Sequence, residues 1–332
     1  MKLSQLPNPI APKAAPRTAP KSPNQLEVPY GDETKTQRQD GYVKIAGEMV
    51  PIIPTTTRAK IGMGLVAAGG AWMATNIAQQ AAAAGWQGAA MVAGAAIAGY
   101  IAADFGSGIF HHAMDNYAKP DKPGEKKTVL GEMAGEFLAH HYYANSMEQM
   151  TPLNSMDPAS TIAGVTMLGL GALNPHYGIA TAALAMMGGT IFAQGSHRWT
   201  HENETSLPVK VLRTLRIAQR EEDHRAHHKA PWTGNYCIVN GVLNPLLDHP
   251  KVNFWPKYEK FVNVVTGAEP KSWNHPSWRA FANGEISRAE LDASYKPDTV
   301  QFKENIGWAA EREWSKNHLH TRGGAPLSQE AK

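Results

Sequence analysis

The sequence predicts an all-α fold: a multipass helical membrane protein with about four transmembrane or membrane-inserted helices and a cytoplasmic, histidine-rich cap able to hold two metal ions. Three observations predict it. Four nearly uncharged apolar stretches lie between residues 61 and 193. Eight of the fourteen histidines gather in four short groups, each beside one of those stretches or following it closely. The basic residues lie at one end of the apolar pairs and are missing from the turns at the other end.

Residues 1–56 are rich in Pro, Lys, Gln and Thr, and no apolar signal-peptide core follows Met1. This composition predicts a disordered tail; an acid-poor plastid transit peptide is the alternative. Residues 61–78 and 88–110 follow, each close to or at the ~20 residues a helix needs to cross a bilayer. Buried helices of a soluble protein are the competing account. Gly94 and Ala98, four apart, predict a close helix contact. A second apolar pair, 161–173 and 177–193, turns at Asn174-Pro175-His176 and predicts a hairpin whose first arm is short for a full span. The turns at 85–87 and 174–176 carry no Lys or Arg, whereas Arg58, Lys60 and the 119–127 and 198–229 segments are basic. The positive-inside rule then places both chain ends and every histidine group on the cytoplasmic side. Residues 57–286 form the predicted domain, with a short helix near 258–265, and residues 287–332 read as a loosely ordered tail.

The histidines carry the chemistry. On a helix His224, His227 and His228 stand at i, i+3 and i+4, so their imidazoles leave one face and can converge on one point. His197 and His201 are also four apart. His140 and His141 are neighbours, about 100° apart on a helix, and so address two points rather than one. That favours two metals. His111 ends the second apolar stretch, and it shares a face with Asp104, Ser107 and Asp115. Acidic residues at a membrane boundary need partners, so Asp104 and Asp115 are candidates to support the metal ligands. His112 points elsewhere. Glu132 and Glu136 share the His140 face and read as solvated acids. His176, His249, His275, His318 and His320 are isolated.

Composition excludes several classes. A formal charge of +3 with no basic, aromatic-laced stripe does not fit nucleic-acid binding. One cysteine, Cys237, permits no intrachain disulfide and no Cys-rich zinc site. No phosphate-cradling glycine loop of the Walker type occurs.

Four segments, DFGSGIFHHAMDNY (104–117), FLAHHYY (137–143), QGSHRWTH (194–201) and HRAHHKAPWTGNYCIVNGVLN (224–244), resemble the lipid desaturase family in order and spacing. The later segment TGAEPKSW (266–273) is similar too. That family includes plasmanylethanolamine desaturases and the plastid enzyme that makes a trans double bond in the palmitoyl chain of phosphatidylglycerol. The resemblance implies two iron ions that use O2 and two electrons to remove two hydrogens from a lipid chain. It also implies a phospholipid substrate and an electron donor of ferredoxin or cytochrome b5 type. His111, His140, His141, His197, His201, His224, His227 and His228 match the family's ligand positions; Asp104 and Asp115 match acidic positions. Met150 stands where animal members have a further histidine, and His112 replaces an aromatic; both lean toward the plastid branch. The expected membrane is the bacterial inner membrane, with a plastid or endoplasmic reticulum membrane as the alternatives. The competing readings are a di-iron lipid hydroxylase using the same ligands, and a non-catalytic protein that stores metal or uses zinc as a structural cap. A structural zinc site needs four ligands, fewer than the eight histidines present.

Overall fold

Threonine at position 56 starts the first long helix, its side chain accepting the Ala59 N–H in the computed structural model, which describes residues 38–39, 41–45, 47–122, 126–202, 206–296 and 300–322. Helix α1 (Thr57–Ala83) runs to a break at Ala84, where Gly85 takes φ +62°, and α2 (Gly85–Asn116) returns antiparallel. After α3 (Val129–Tyr142) and the single turn α4 (Pro152–Ser155), the predicted hairpin forms from α5 (Ala159–Leu173) and α6 (Tyr177–His201). Asn174 caps α5 in the left-handed region at φ 47°.

Helix α5 lies along α1, and α6 lies along α2. Missing side chains permit both approaches. A Cβ on Gly69 would come within 2.7 Å of the Met167 Cβ, and one on Gly99 within 2.2 Å of the Ala182 carbonyl oxygen. The expected contact at Gly94 and Ala98 is not the one formed: both face outward, and Gly99, one residue on, carries it.

Among the described residues α1, α2 and α6 are long and apolar enough to cross a membrane, and α5 is a shorter apolar helix. A buried bundle in a soluble protein would hide them. Only 22% of the most apolar part of α1 and of α2 is buried, and Ile61, Trp72, Ile97, Ile101, Ile162 and Ile179 are exposed. Apolar surface of that extent belongs in lipid.

Two expectations about the chain ends are corrected within the described residues. The described residues between 38 and 51, expected to be disordered, form a three-stranded antiparallel sheet: β1 (Arg38–Gln39), β2 (Tyr42–Ile45) and β3 (Glu48–Pro51), with Val43 opposite Val50. Val43, Ile45 and Val50 are fully buried against Tyr142, Tyr143, Trp232 and Trp308. The part of that tail before residue 38 lies outside the described residues. At the other end, the segment expected to be loose forms α12 (Arg288–Ser294), α13 (Val300–Asn305) and α14 (Trp308–Thr321). Ser287 and Glu290 make a capping box on α12, and Trp308 and Leu319 of α14 enter the same core as the sheet. Between α6 and this region lie α7 (Leu207–Thr214), α8 (Glu221–His227), α9 (Asn244–Leu247), α10 (Phe254–Thr266) and α11 (Pro276–Asn283). The helix expected near 258–265 is α10, longer by four residues at its start and one at its end.

Candidate metal centre

Four helix ends meet where the apolar bundle passes into the cap. Helix α2 brings His111 and Asp115, α3 ends on His140 and His141, the last turns of α6 carry His197 and His201, and α8 with its C-cap supplies His224, His227 and His228. All eight histidines and Asp115 are buried. They fall into two groups, with the ligand atoms of each group within 4.8 Å of one another. One comprises His140, His197, His201, His224 and His228; the other comprises His111, Asp115, His141 and His227.

The neighbours His140 and His141 are divided between the groups, as their 100° separation on α3 requires. The 224–228 triplet does not converge on one point as its spacing allowed. His224 and His228, four apart, join the first group, and His227 turns to the second.

In the first group four Nε2 atoms crowd together: His224 lies 2.9 Å from His197, 2.8 Å from His201 and 3.0 Å from His228. Burial drives the His140, His224 and His228 rings well below their ordinary pKa, and neighbouring histidines add to the effect, so these rings are neutral. A neutral imidazole has one N–H, and one hydrogen on the His224 Nε2 satisfies at most one of its three neighbours. The remaining lone pairs face one another. Two imidazole nitrogens bound at right angles to one ion, each at about 2.1 Å, stand about 3.0 Å apart. These residues fit a divalent transition metal.

The second group mixes three imidazoles with a carboxylate. Asp115 Oδ1 is 2.9 Å from His141 Nε2, and Oδ2 is 3.2 Å from His227 Nε2 and 3.3 Å from His111 Nε2. Main-chain carbonyls aim two of the rings. His111 Nδ1 donates to the Tyr236 carbonyl at 3.1 Å, and His227 Nδ1 to the Gly234 carbonyl at 2.8 Å. A carbonyl only accepts, so each Nδ1 holds the hydrogen and each Nε2 keeps its lone pair for the centre. His111 Nε2, His227 Nε2, His140 Nε2 and Asp115 Oδ2 are buried without a hydrogen bond, which a bound cation would answer.

Asp104 belongs to neither group. Its carboxylate accepts the backbone N–H groups of Asn240 and Gly241 at 3.0 Å and of Leu243 at 3.3 Å, while Ser107 Oγ accepts that of Ile238. The stripe of α2 that sequence periodicity marked therefore has two uses: Asp104 and Ser107 hold the 238–243 segment, and that segment keeps the Tyr236 carbonyl on His111. Asp248 and Asn244 complete the anchoring and were not foreseen. Asp248 accepts the Asn235 N–H and the Trp255 indole, both at 2.9 Å, and burial raises its pKa to about 6. Asn244 Oδ1 accepts the Cys237 N–H, and its Nδ2 donates to the Cys237 carbonyl. Their one sequence signal was position, three and seven residues after the NYCIVNG run.

His112 points away from both groups. It stacks on Trp255 and reaches Glu259, a buried carboxylate that also accepts Ser272 and the indoles of Trp273 and Trp278. Glu136 pairs with Arg322, and Glu132 lies 3.6 Å from Lys127, so neither meets the centre. His176, His249, His275, His318 and His320 lie outside both groups.

Membrane-length apolar helices that end in two buried polyhistidine groups define a helical membrane protein with a metal-binding centre. The comparisons carry this to a family. The lipid desaturase domain model matches residues 100–273, just over half of the chain. The chain belongs to the lipid desaturase family. It is 32% identical over 199 residues to fatty acid desaturase 4, chloroplastic, of Arabidopsis thaliana, covering 58% of each chain. It is 26% identical over 182 residues to the plasmanylethanolamine desaturase of Myxococcus xanthus, covering 53% of this chain and 62% of that one. With plasmanylethanolamine desaturase 1 of Mus musculus it shares 27% identity, covering 56% and 70%. The chain thus spans about three fifths of the Arabidopsis and Myxococcus proteins. No solved structure matches it.

Proposed function

We propose that this protein is a membrane-bound di-iron lipid desaturase, which uses O2 and two electrons to introduce a double bond into an acyl or alkyl chain of a phospholipid. The observation that carries the proposal is the convergence of eight buried histidines and Asp115 into two metal-sized groups, at the ends of membrane-length helices, in a member of the lipid desaturase family. His140, His197, His201, His224 and His228 hold one iron; His111, Asp115, His141 and His227 hold the other. The iron pair supplies the oxidising power that an unactivated methylene requires and that side chains lack.

The chain's own residues do the rest. Carbonyls of Tyr236 and Gly234 set the imidazole tautomers, Asp104 fixes the segment that carries the first of them, and Phe137, packed edge-on against His111 and His140, keeps that side of the centre dry. Exposed apolar faces of α2 and α6 admit the lipid chain from the bilayer, and the cap fixes which carbon meets the centre. Electrons come from a ferredoxin or a cytochrome b5 type donor on the cytoplasmic side. The substrate is the palmitoyl chain of phosphatidylglycerol or the alkyl chain of plasmanylethanolamine, the former favoured by the higher identity to the plastid relative.

Phospholipid mass spectrometry on a host expressing the protein, beside a His228→Ala control, tests this. The expected result is a species lacking two hydrogens, absent from the control. Acid-labile product identifies a vinyl ether, and acid-stable product confined to phosphatidylglycerol identifies the plastid-type reaction. Gain of one oxygen instead would make the protein a hydroxylase. No change with folded, iron-loaded protein and a supplied reductant would overturn the assignment.

A further inference from the structure

Outside the metal centre, three short segments of the cap carry much of the exposed apolar surface that the bundle does not explain among the described residues. Helix α7 turns Leu207 and Val211 outward, and its C-cap Leu215 is 63% exposed. Val242 projects from the segment that leads into α9, and Leu246 from α9 itself. Helix α10 buries Trp255 and Glu259 on one face and exposes Phe261, Val264 and Val265 on the other, Val264 at 75%.

All three segments are tied to one level of α2. The Tyr100 hydroxyl donates to the Ile217 carbonyl at 2.7 Å just after α7, Asp104 holds the backbone at 240–243, and Phe105 packs edge-on against Phe254 at the start of α10. Tyr100 and Phe105 are about 7.5 Å apart along the helix axis and about 140° apart around it. The segments therefore flank α2 on different sides within about one and a half turns. Above this level, from His111 on, α2 is largely buried; below it, α2 exposes Ile97, and within it Ile101.

We propose that α7, the 242–246 segment and α10 form an interfacial collar, lying in the plane of the bilayer surface with their apolar faces in the acyl region. Two observations select a lipid surface as the occupant. The exposed residues continue the apolar surface of α2 without a polar break in level, and exposed lysines border them: Lys210 on α7, Lys251 before α10, and Lys257 and Lys260 on α10. Amphipathic helices with basic margins suit the headgroup boundary of an anionic leaflet. The collar sets the depth of the centre. His111 stands seven residues beyond Asp104, so the histidine groups lie roughly 10 Å past the interfacial plane. A lipid chain must leave the bilayer by that distance to reach them.

The inference needs membrane association but not desaturation, so its test is independent of activity. Native Cys237 is fully buried, and single cysteines can carry a nitroxide beside it. Leu215→Cys, Phe261→Cys and Val264→Cys would be labelled in protein reconstituted into vesicles of phosphatidylcholine and phosphatidylglycerol, with Asn317→Cys on α14 as the exposed reference. Relaxation by oxygen, which concentrates in the acyl region, is expected to exceed relaxation by a polar nickel chelate at the three collar positions and to fall below it at 317. Nickel dominance at the collar positions would place these helices in water and overturn the proposal. Poor access to both reagents with dipolar broadening would overturn it in favour of a second copy of the chain.

Discussion

Asp115 is the one carboxylate in a set of imidazoles, and its charge makes the two groups unequal. Asp115→Asn keeps the shape, removes the charge and can aim N–H hydrogens at the lone pairs of His111 and His227. The expected outcome is loss of about half the bound iron, from the group of His111, His141 and His227, while the five-histidine group stays loaded; metal-to-protein ratios by mass spectrometry check it. Equal loss from both groups would mean they are not separate sites. The neutral histidines also fix an acid response. Burial lowers the folded pKa of His140, His141, His224 and His228 below the ordinary 6.5, so below pH 6.5 the unfolded chain binds protons that the folded chain refuses. Stability is fully present above about pH 6.5 and falls with acidification, by about 1.4 kcal/mol per pH unit for each such histidine. Metal-free protein in detergent should show its thermal midpoint dropping steeply below that pH, and iron should slow the drop until protons displace it. At this scale the sequence was informative about residue type and poor about role. Asp104 and Asp115 lie on one stripe of α2 and look alike in a helical projection. What separates them is a segment more than a hundred residues away, whose N–H groups meet Asp104 while His141 and His227 meet Asp115.

Helices set the registry that brings the four histidine groups together, and α2 against α6 matters most because they carry His111 and His197. Gly99 lies against the Ala182 backbone, where a Cβ would come within 2.2 Å of its carbonyl oxygen. Gly99→Leu forces a side chain against backbone that cannot give, so the helices must part or slide. A stability loss of about 1–3 kcal/mol or more is expected, together with lowered iron content. Gly94→Leu, on the open face with nothing within 4 Å, should leave both unchanged. Thermal unfolding and iron content of the two variants decide it. Small-residue spacing marked α2 as a packing helix but chose the wrong face, because α2 carries glycine or alanine on nearly every side and periodicity cannot rank them. The support of the 238–243 segment is a second case. Asp104→Ala leaves three backbone N–H groups unpaired in a buried place, at about 1–3 kcal/mol for an unmet donor. It should also weaken metal binding by the group of His111 by about 10–100-fold, the usual effect of losing an outer partner of a ligand. The visible sign would be earlier iron release to a chelator, with the iron of the five-histidine group retained.

At the scale of the molecule the centre is clamped between bilayer and cap, and the outer jaw was the part least legible in the sequence. The stretch before residue 57 reads as a tail because prolines and lysines dominate its average. The alternation of Val43 and Ile45, and Val50 after the Gly47 turn, is a strand signal only four residues wide on each side. Likewise α14 has little apolar periodicity, and it folds because Trp308 and Leu319 find a core that the sheet completes. That core also contains Tyr142 and Trp232; Tyr142 directly follows His141 in the chain, and Trp232 packs on its ring at 4.7 Å. The sheet therefore shares its core with Tyr142, next to His141, and with Trp232, which packs on the His141 ring. Ile45→Ala, at a side chain that is 1% exposed, should cost about 2–5 kcal/mol and, by loosening α3, lower iron retention. Tyr42→Ala, on the outer face of the same strand at 46% exposure, should change neither by more than about 0.5 kcal/mol. If iron retention in Ile45→Ala matched that of the parent at equal fraction folded, the sheet would stabilise the protein without positioning the centre. If it fell while α1, α2, α5 and α6 stayed helical by circular dichroism, the sheet would be an outer wall of the metal centre, reaching it through Tyr142 and Trp232.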